Sequence, residues 1–209
     1  MSTNELPYCR DTAARHLCAV DVDLARTIER VGPMALQLRH LQSPFEALLR
    51  AIVGQQLSTS AARTIHGRVV DLFDEDGPAP EPLLALEPDV LRGAGLSRAK
   101  TVAARDLAHK VLDGTVPTLE AMGSLTDEAL VERLTAVRGV GPWTVQMLLI
   151  FRLGRPDVLP ATDLGIRKGC QRVFGLDEIP PPKQILARGE RWGPYRSAAS
   201  WYLWRALEL

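Results

Sequence analysis

The most constraining feature of this chain is a tight turn, Arg138-Gly139-Val140-Gly141, that joins two helical segments within four residues. Glycine permits a positive φ and lets another backbone approach closely. The N–H groups after the turn belong to the first turn of the next helix, where they form a ready site for an anion. The turn therefore predicts either a phosphate-binding hairpin or an ordinary tight connection, and its spacing alone does not separate the two.

The rest of the chain favours an all-α fold, because helix formers dominate and the alternating Val, Ile and Thr of strands are almost absent. Its 209 residues, 46% of them hydrophobic, suffice for one sizeable core or two small lobes. We expect residues 1–10 to form a loose tail. Helices are predicted over residues 21–31, 44–54, 58–73, 82–86, 88–92, 97–112, 126–137, 142–154, 160–175, 183–191 and 196–207.

Composition excludes several classes of protein. No apolar run reaches the ~18 residues that span a bilayer, and the N-terminal residues show no signal pattern, so we expect a cytoplasmic protein with no membrane partner. Cys9, Cys18 and Cys170 lack the C-x2-C spacing of metal sites. We therefore expect reduced, partly buried thiols and neither a zinc site nor an iron–sulfur cluster.

Charge is unevenly distributed although the net charge is zero. Residues 1–133 carry 14 basic and 19 acidic side chains, a balance of −5, whereas residues 134–209 carry 11 and 6, a balance of +5. The positive field thus lies in the part of the chain that holds the hairpin, where a phosphate partner requires it. Chance patterning of solvated helix faces is the alternative.

The wider pattern resembles the helix–hairpin–helix DNA glycosylase superfamily, and is closest to the bacterial 3-methyladenine DNA glycosylase II type. The motifs that carry this resemblance are L-x-x-V-x-G-V-G-P-W-T at 134–144 with Asp163 beyond it, I-V-G-Q-Q-L-S at 52–58, P-A-T-D-L-G-I-R at 160–167 and W-G-P-Y-R-S at 192–197. Together they span roughly residues 43–205.

The resemblance implies a two-lobed all-α fold with a central cleft. In that arrangement residues 1–42 pack with the C-terminal lobe, residues 43–155 form the central lobe with the hairpin at 134–151, and residues 156–209 carry the catalytic loop and the last helices. Too few residues precede Pro44 for the extra N-terminal β domain of longer bacterial relatives, so no such domain is expected.

The implied activity is hydrolysis of the N-glycosidic bond of alkylated purines, such as 3-methyladenine and 7-methylguanine, in double-stranded DNA during base excision repair. Asp163 is the implied catalytic acid, because a carboxylate stabilises the oxocarbenium charge or orients water. A compatible alternative is that Asp163 or Thr162 caps a helix. Trp143 stands where strand-cutting relatives have a lysine, and an indole cannot form a Schiff base. We therefore expect no lyase activity, and this expectation holds even if Trp143 only packs between the lobes.

The resemblance also implies a substrate pocket lined by Trp143, Tyr195 and Met147. Aromatic faces bind the cationic base. Because Met147 stands where this branch often has a tyrosine, we expect a less aromatic pocket with an altered preference for cationic bases. Trp201 and Trp204 are assigned to the core.

DNA contacts follow from the same resemblance. Gln56 is the expected residue that inserts into the duplex, supported by Gln55 or Leu57; a polar turn between helices is the alternative. The phosphate contacts implied are Gly139, Val140, Gly141, Arg167 and Lys168, with Arg172, Ser58 and the segment 97–100 as weaker candidates. The carbonyls of Thr135, Val137 and Val140 would hold a Na⁺ or K⁺ ion, with no other cofactor. A monomer acting on damaged DNA is expected.

Two alternatives remain open from the sequence. One is a non-enzymatic helix–hairpin–helix protein that binds DNA and needs neither Asp163 nor an aromatic pocket. The other is a glycosylase for a different lesion, such as uracil, hypoxanthine or a mispaired base, which Met147 keeps open.

Overall fold

The computed structural model describes residues 5–39 and 43–209. Over these residues the chain forms α-helices and two short 3-10 helices, with no strand, which confirms the all-α prediction. The α-helices of this described part are α1 (Arg10–Val20), α2 (Val22–Val31), α3 (Pro44–Gly54), α4 (Thr59–Val70), α5 (Pro80–Ala85), α6 (Pro88–Gly93), α7 (Arg98–Leu112), α8 (Leu119–Ser124), α9 (Asp127–Thr135), α10 (Pro142–Phe151), α11 (Leu164–Val173), α12 (Pro182–Gly189) and α13 (Arg196–Arg205).

Most helices begin at a side-chain cap that the sequence marks. Ser43 accepts from the N–H of Glu46, Thr126 from that of Ala129, and Asp163 from that of Ile166. Each oxygen satisfies one of the N–H groups that a helix start leaves without a partner in the helix. The apolar stripe of α3 is buried as its spacing predicts, at Phe45, Leu48, Leu49, Ile52 and Val53.

The prediction of a loose tail over residues 1–10 is wrong where the structure describes it; residues 1–4 lie outside the described residues. Tyr8 is half-buried, and a Cβ on Gly154 would lie only 2.7 Å from Pro7 Cδ. The sequence analysis also missed α1 and the six-residue α8. Only Ala13 and Leu17 are buried in α1, so its apolar stripe is too narrow to show as a period.

The chain divides into two compact units. Unit 1 comprises Met1–His40 and Gln146–Leu209, and unit 2 comprises Leu41–Val145. The second boundary between the units falls inside α10, whereas the sequence predicted it between residues 155 and 156. The other predicted boundary, between residues 42 and 43, adjoins residues 40–42, which lie outside the described residues. Residues 146–151 of α10 belong to unit 1. At their end, Phe151 stacks on Trp204 at 5.5 Å, and the carbonyl of Phe151 accepts from the N–H of Arg39 at 2.8 Å.

Unit 1 joins the two ends of the chain around a buried carboxylate. Helices α1 and α2 pack against α13, and Asp21, 3% exposed, accepts hydrogen bonds of 3.1 Å from Arg188 and from the indole of Trp192. Burial pushes the pKa of Asp21 up, but hydrogen bonds from Arg188, Trp192 and the N–H of Leu24, with the Arg188 charge, hold it below its ordinary value.

In unit 2, α7 is the central support. It packs against α3, α5 and α6, and α3 packs in turn against α4. The side of α7 that meets these helices is small and apolar, with Ala103, Ala104, Leu107 and Ala108 buried. Small side chains such as those of the three alanines let the neighbouring helices approach closely. Helix α7 also contacts the hairpin through Asp106 and the α3–α4 turn through Lys100.

All three cysteines are unbridged; Cys9 and Cys18 are exposed, whereas Cys170 is buried. Burial raises the pKa of the Cys170 thiol to about 12. None of the helices in the described ranges combines the length and the apolar character that a bilayer span requires.

Candidate active site

Asp163 lies in unit 1 at the cap of α11, and its side chain is half-buried. Oδ1 accepts from the N–H of Ile166 at 2.8 Å and from the indole Nε1 of Trp204 at 2.9 Å. The capping interpretation is therefore confirmed. Two donors fix the orientation of the carboxylate, which is what a group that must face a developing positive charge requires.

Trp204, which the sequence analysis assigned to the core, contacts the candidate catalytic residue Asp163. It is half-buried, stacks on Phe151 at 5.5 Å and donates to Asp163. Gly165 makes room for this contact, because a Cβ there would lie 2.9 Å from both Asp163 Oδ1 and Trp204 Cδ1. The two residues stand 41 positions apart, so nothing in the local pattern could pair them, although the glycine two residues after the aspartate was a usable signal.

Trp192 and Trp201 differ from Trp204. Trp192 is fully buried and donates to Asp21, so it belongs to the core of unit 1. Trp201 meets Tyr202 edge-on at 5.0 Å, which agrees with its assignment to packing.

The hairpin in unit 2 connects α9 to α10. Gly139 has φ +79°, in the left-handed region, and a Cβ there would lie 3.4 Å from that of Ala103. Val140 N–H donates to Val137 O at 3.0 Å, which closes the turn. At Gly141 a Cβ would meet no described atom within 4 Å, so this glycine leaves open space beside the start of α10.

Helix α7 braces the hairpin from behind. The carboxylate of Asp106 accepts from the backbone N–H of Arg138 at 2.7 Å and lies 3.4 Å from the ammonium of Lys110. Sequence reasoning missed Asp106, because an aspartate in mid-helix gives no signal of a contact 32 residues away.

The predicted wedge residues lie on the turn between α3 and α4, also in unit 2. Gln56 has φ +57° and is exposed, and Leu57 is 37% exposed, so these two form the tip. Gln55 is half-buried, and its Nε2 donates to Gly139 O at 2.7 Å. The structure therefore brings the wedge turn and the hairpin together, with Gln55 directed at the hairpin.

Lys100 proves to be a support of this turn. Its ammonium donates to Val53 O at 2.7 Å and to Gln55 O at 2.8 Å. Burial lowers the pKa of Lys100. Two of the three N–H donors of the ammonium are thus engaged by carbonyls of this turn, and the role of Lys100 as a weaker phosphate contact stays a prediction.

The predicted pocket residues lie on α10 and at the start of α13. Trp143, 47% exposed, and half-buried Met147 stand one helical turn apart on α10. Tyr195 precedes α13 in unit 1, where its ring contacts those of Tyr8 at 6.0 Å and His16 at 5.4 Å. Burial raises the pKa of Tyr8 to about 12.

The basic residues of α11 that were predicted to contact phosphate differ in exposure and in hydrogen bonding. Arg167 is half-buried and its Nε donates to Pro180 O at 3.0 Å, so part of its guanidinium serves the structure of unit 1. Lys168 is exposed. Arg172 donates to Leu207 O at 3.4 Å.

The predicted cation ligands are backbone carbonyls at the end of α9 and in the hairpin turn. Three neutral oxygens from one reversal of the chain suit a hard monovalent ion rather than a transition metal. Val137 O accepts from Val140 N–H, and a carbonyl has a second lone pair, so the donor set fits. Among residues 5–39 and 43–209, no three His, Cys, Asp or Glu side chains come close enough to hold a metal ion.

Unit 1 thus holds the capped aspartate, and unit 2 holds the glycine hairpin with the wedge turn bonded to it, as the resemblance implied. The chain belongs to the HhH-GPD superfamily of base excision DNA repair proteins, whose model matches residues 49–194.

Named relatives narrow this class. The chain is 37% identical over 196 residues to DNA-3-methyladenine glycosylase 1 of Schizosaccharomyces pombe, covering 93% of this chain and 86% of the relative. It is 30% identical over 178 residues to DNA-3-methyladenine glycosylase 2 of Escherichia coli, covering 81% and 60%. Its fold matches that of the S. pombe 3-methyladenine DNA glycosylase Mag1 in complex with abasic DNA, with a TM-score of 0.84, 36% identity and coverage of 95% and 97%.

Proposed function

We propose that this protein is a DNA glycosylase that removes alkylated purines, of the 3-methyladenine and 7-methylguanine type, from double-stranded DNA in base excision repair. The observation that carries the proposal is the oriented carboxylate of Asp163, held by Ile166 N–H and Trp204 Nε1, in a chain whose relatives are named 3-methyladenine glycosylases. We further propose that it acts as a monomer.

The chemistry follows from the charge that develops as the bond breaks. Cleavage of the N-glycosidic bond leaves positive charge on the sugar, and a carboxylate beside it stabilises that charge or orients the attacking water. The base must first leave the duplex. An alkylated purine is already cationic, so its bond to the sugar is weak, and the aromatic faces of Trp143 and Tyr195 suit it, each contributing roughly 0.5–2 kcal/mol.

The first prediction tests Asp163. Asp163→Asn keeps the size of the side chain but removes its charge, so we expect excision to fall at least about a hundredfold, the scale of one electrostatic catalytic group. Binding to undamaged DNA should stay unchanged. The measurement is the amount of free 3-methyladenine and 7-methylguanine that the protein releases from methylated DNA.

Asp177→Asn is the matched control, because Asp177 is an exposed aspartate of the same unit. If Asp163→Asn retains full activity, the catalytic assignment is wrong. If the unsubstituted protein binds DNA but releases no base from any damaged duplex, the non-enzymatic alternative holds instead.

We propose that the enzyme is monofunctional and leaves an intact abasic strand. Trp143 supplies no amine at the position where strand-cutting members of the superfamily have a lysine, and Lys100 is engaged by two carbonyls of unit 2. A Schiff base between enzyme and sugar is therefore not expected.

The second prediction follows directly. Borohydride should trap no covalent complex between the protein and DNA under conditions where base release is complete. Any trapped complex would overturn the assignment. Its loss in Lys100→Met or Lys168→Met would identify that lysine as the nucleophile, and its persistence in both variants would show that another amine acts.

The hairpin is the proposed anchor for the DNA backbone. Its N–H groups at the start of α10 and the open space at Gly141 favour phosphate contacts. In unit 1, exposed Lys168 is proposed as a separate phosphate contact. A Na⁺ or K⁺ ion held by the carbonyls of Thr135, Val137 and Val140 would supply further positive charge at the phosphate.

A second candidate, a glycosylase with a different lesion range, is favoured by Met147. This half-buried thioether stands one turn from Trp143, where an aromatic ring would bind a cationic base better. Duplexes that contain uracil or hypoxanthine, assayed beside methylated DNA, separate the two candidates by which base is released faster.

A further inference from the structure

The wedge turn is tied to the hairpin across 84 residues of sequence by one hydrogen bond. Gln55 Nε2 donates to Gly139 O at 2.7 Å. The peptide group between Gly139 and Val140 is thereby held at both ends, because its N–H donates to Val137 O at 3.0 Å. The side chain that reaches the hairpin thus belongs to the residue directly before the exposed tip.

Lys100 holds the same turn from a second direction. Its ammonium bridges Val53 O and Gln55 O, at 2.7 and 2.8 Å. Both carbonyls lie at the end of α3, where a helix leaves carbonyls without partners in the helix, and a cation is the preferred partner there. Lys100 is in the first helical turn of α7. The wedge turn is therefore bonded to the same helix that contacts the hairpin through Asp106.

The tip that these anchors hold has an unfavourable backbone. Gln56, at φ +57°, is the one described residue other than glycine in the left-handed region. Such a conformation persists only where the surroundings impose it, and it is concentrated at functional sites. Here Gln55 is fixed on one side, and on the other the Ser58 hydroxyl caps α4 by accepting from Ala61 N–H at 3.3 Å.

We propose that Gln55 and Lys100 are positioning residues that set the distance between the inserting tip, Gln56 and Leu57, and the hairpin that holds the phosphate backbone. The depth to which the tip inserts into the duplex is then set by where the hairpin binds the phosphate backbone. Gln55 itself does not enter the duplex. This inference rests on the proposed function only in taking DNA as the ligand.

The experiment is a double-mutant cycle on the full chain. Gln55→Met removes the donor but keeps the length of the side chain, and Gln56→Ala removes the inserting group. Three quantities are measured: the Kd for an undamaged duplex, the single-turnover rate of 7-methylguanine release, and the fluorescence of 2-aminopurine opposite a tetrahydrofuran abasic analogue.

We expect Gln55→Met to lower the release rate and the fluorescence change about three- to tenfold, the scale of one hydrogen bond, while the Kd for undamaged DNA stays within about twofold. In the Gln56→Ala background, Gln55→Met should have no further effect on the release rate or the fluorescence change, because Gln55 acts only by positioning the inserting residue that this background lacks. Lys100→Met should behave alike and serves as the second test if Gln55→Met fails to fold.

Gln171→Met is the matched control, since Gln171 also donates from its amide to a backbone carbonyl, that of Asp177 at 3.1 Å, but in unit 1. It should leave all three readouts unchanged. Losses that multiply in the double variant, or an equal loss of undamaged-DNA binding in Gln55→Met, would overturn the inference. If the unsubstituted protein releases no base, the proposed function is wrong. The 2-aminopurine fluorescence needs no excision, so it still tests whether Gln55 and Lys100 position the inserting tip.

Discussion

Asp163 Oδ1 accepts two hydrogen bonds at once, one from the start of its own helix and one from Trp204. The first is a local property of any capped helix. The second depends on Phe151, which stacks on the indole, and on Gly165, which leaves space for it. At the scale of single residues, the carboxylate that we propose to be catalytic thus has supports that hold it in one rotamer.

The third prediction tests the indole donor. Trp204→Phe keeps the stacking on Phe151 but removes the N–H that Asp163 accepts, so we expect excision to fall about tenfold, the scale of a hydrogen bond to a charged group. Single-turnover release of 7-methylguanine measures this. Trp201→Phe, which removes an indole outside the contacts of Asp163, should leave the rate unchanged, and equal losses in both variants would show a general packing effect instead.

At the scale of elements, the two glycines of the hairpin have different tasks. Gly139 is required by its positive φ and by the closeness of Ala103, whereas Gly141 has ordinary backbone geometry and open space around it. The first glycine therefore shapes the turn, and the second leaves the open space where we propose that a phosphate group approaches.

The fourth prediction separates these tasks. Gly139→Ala should lower the free energy of unfolding by about 1–2 kcal/mol, because a Cβ is unfavourable in the left-handed region. Gly141→Ala should leave stability within ~0.5 kcal/mol, as substitutions in open surface positions do, but weaken binding to undamaged DNA. Urea unfolding and a Kd at fixed salt measure the two effects; wild-type affinity in Gly141→Ala would remove the hairpin as the anchor.

At the scale of the whole molecule, unit 1 is assembled from both ends of the chain, and Asp21 joins them. Its carboxylate accepts from Arg188 and Trp192, 167 and 171 residues away. Because these bonds favour the charged form, the pKa of Asp21 in the folded state lies below its ordinary value of 3.8. A lowered folded-state pKa contributes stability above the unfolded value and loses it as the pH falls through the folded one.

The fifth prediction uses this dependence. Asp21→Asn should lower the free energy of unfolding at pH 7 by about 3 kcal/mol, the low end for breaking a buried pair, because the Arg188 side chain is 32% exposed. The difference from the unsubstituted protein should begin to shrink below about pH 4, where the carboxyl group of the unfolded chain takes up a proton. It should shrink further until the pH has passed the lower pKa of Asp21 in the folded state. Urea unfolding at both pH values measures it. Glu29→Gln, at an exposed position of α2, should show no such change.

What the sequence by itself determined is local. Ser43, Thr126 and Asp163 mark helix starts because each cap bonds an N–H three residues ahead, and the stripe of α3 and the hairpin glycines are read from spacings of a few residues. These signals suffice for the all-α fold and the family. They are weak where a helix buries few apolar residues, which is why α1 and α8 were missed.

Only the tertiary structure decided which distant segments of the chain contact each other. The partner of Asp163 lies 41 residues away, that of Gln55 84, and that of Asp21 167. A hydrogen bond of this kind depends on how whole helices pack, and many partners in the sequence have suitable chemistry. The pattern therefore predicted Asp163, Gln55 and Gly139 as site residues. Packing alone showed that Trp204 donates to Asp163, that Gln55 donates to the hairpin, and that Lys100 donates to two carbonyls of the wedge turn.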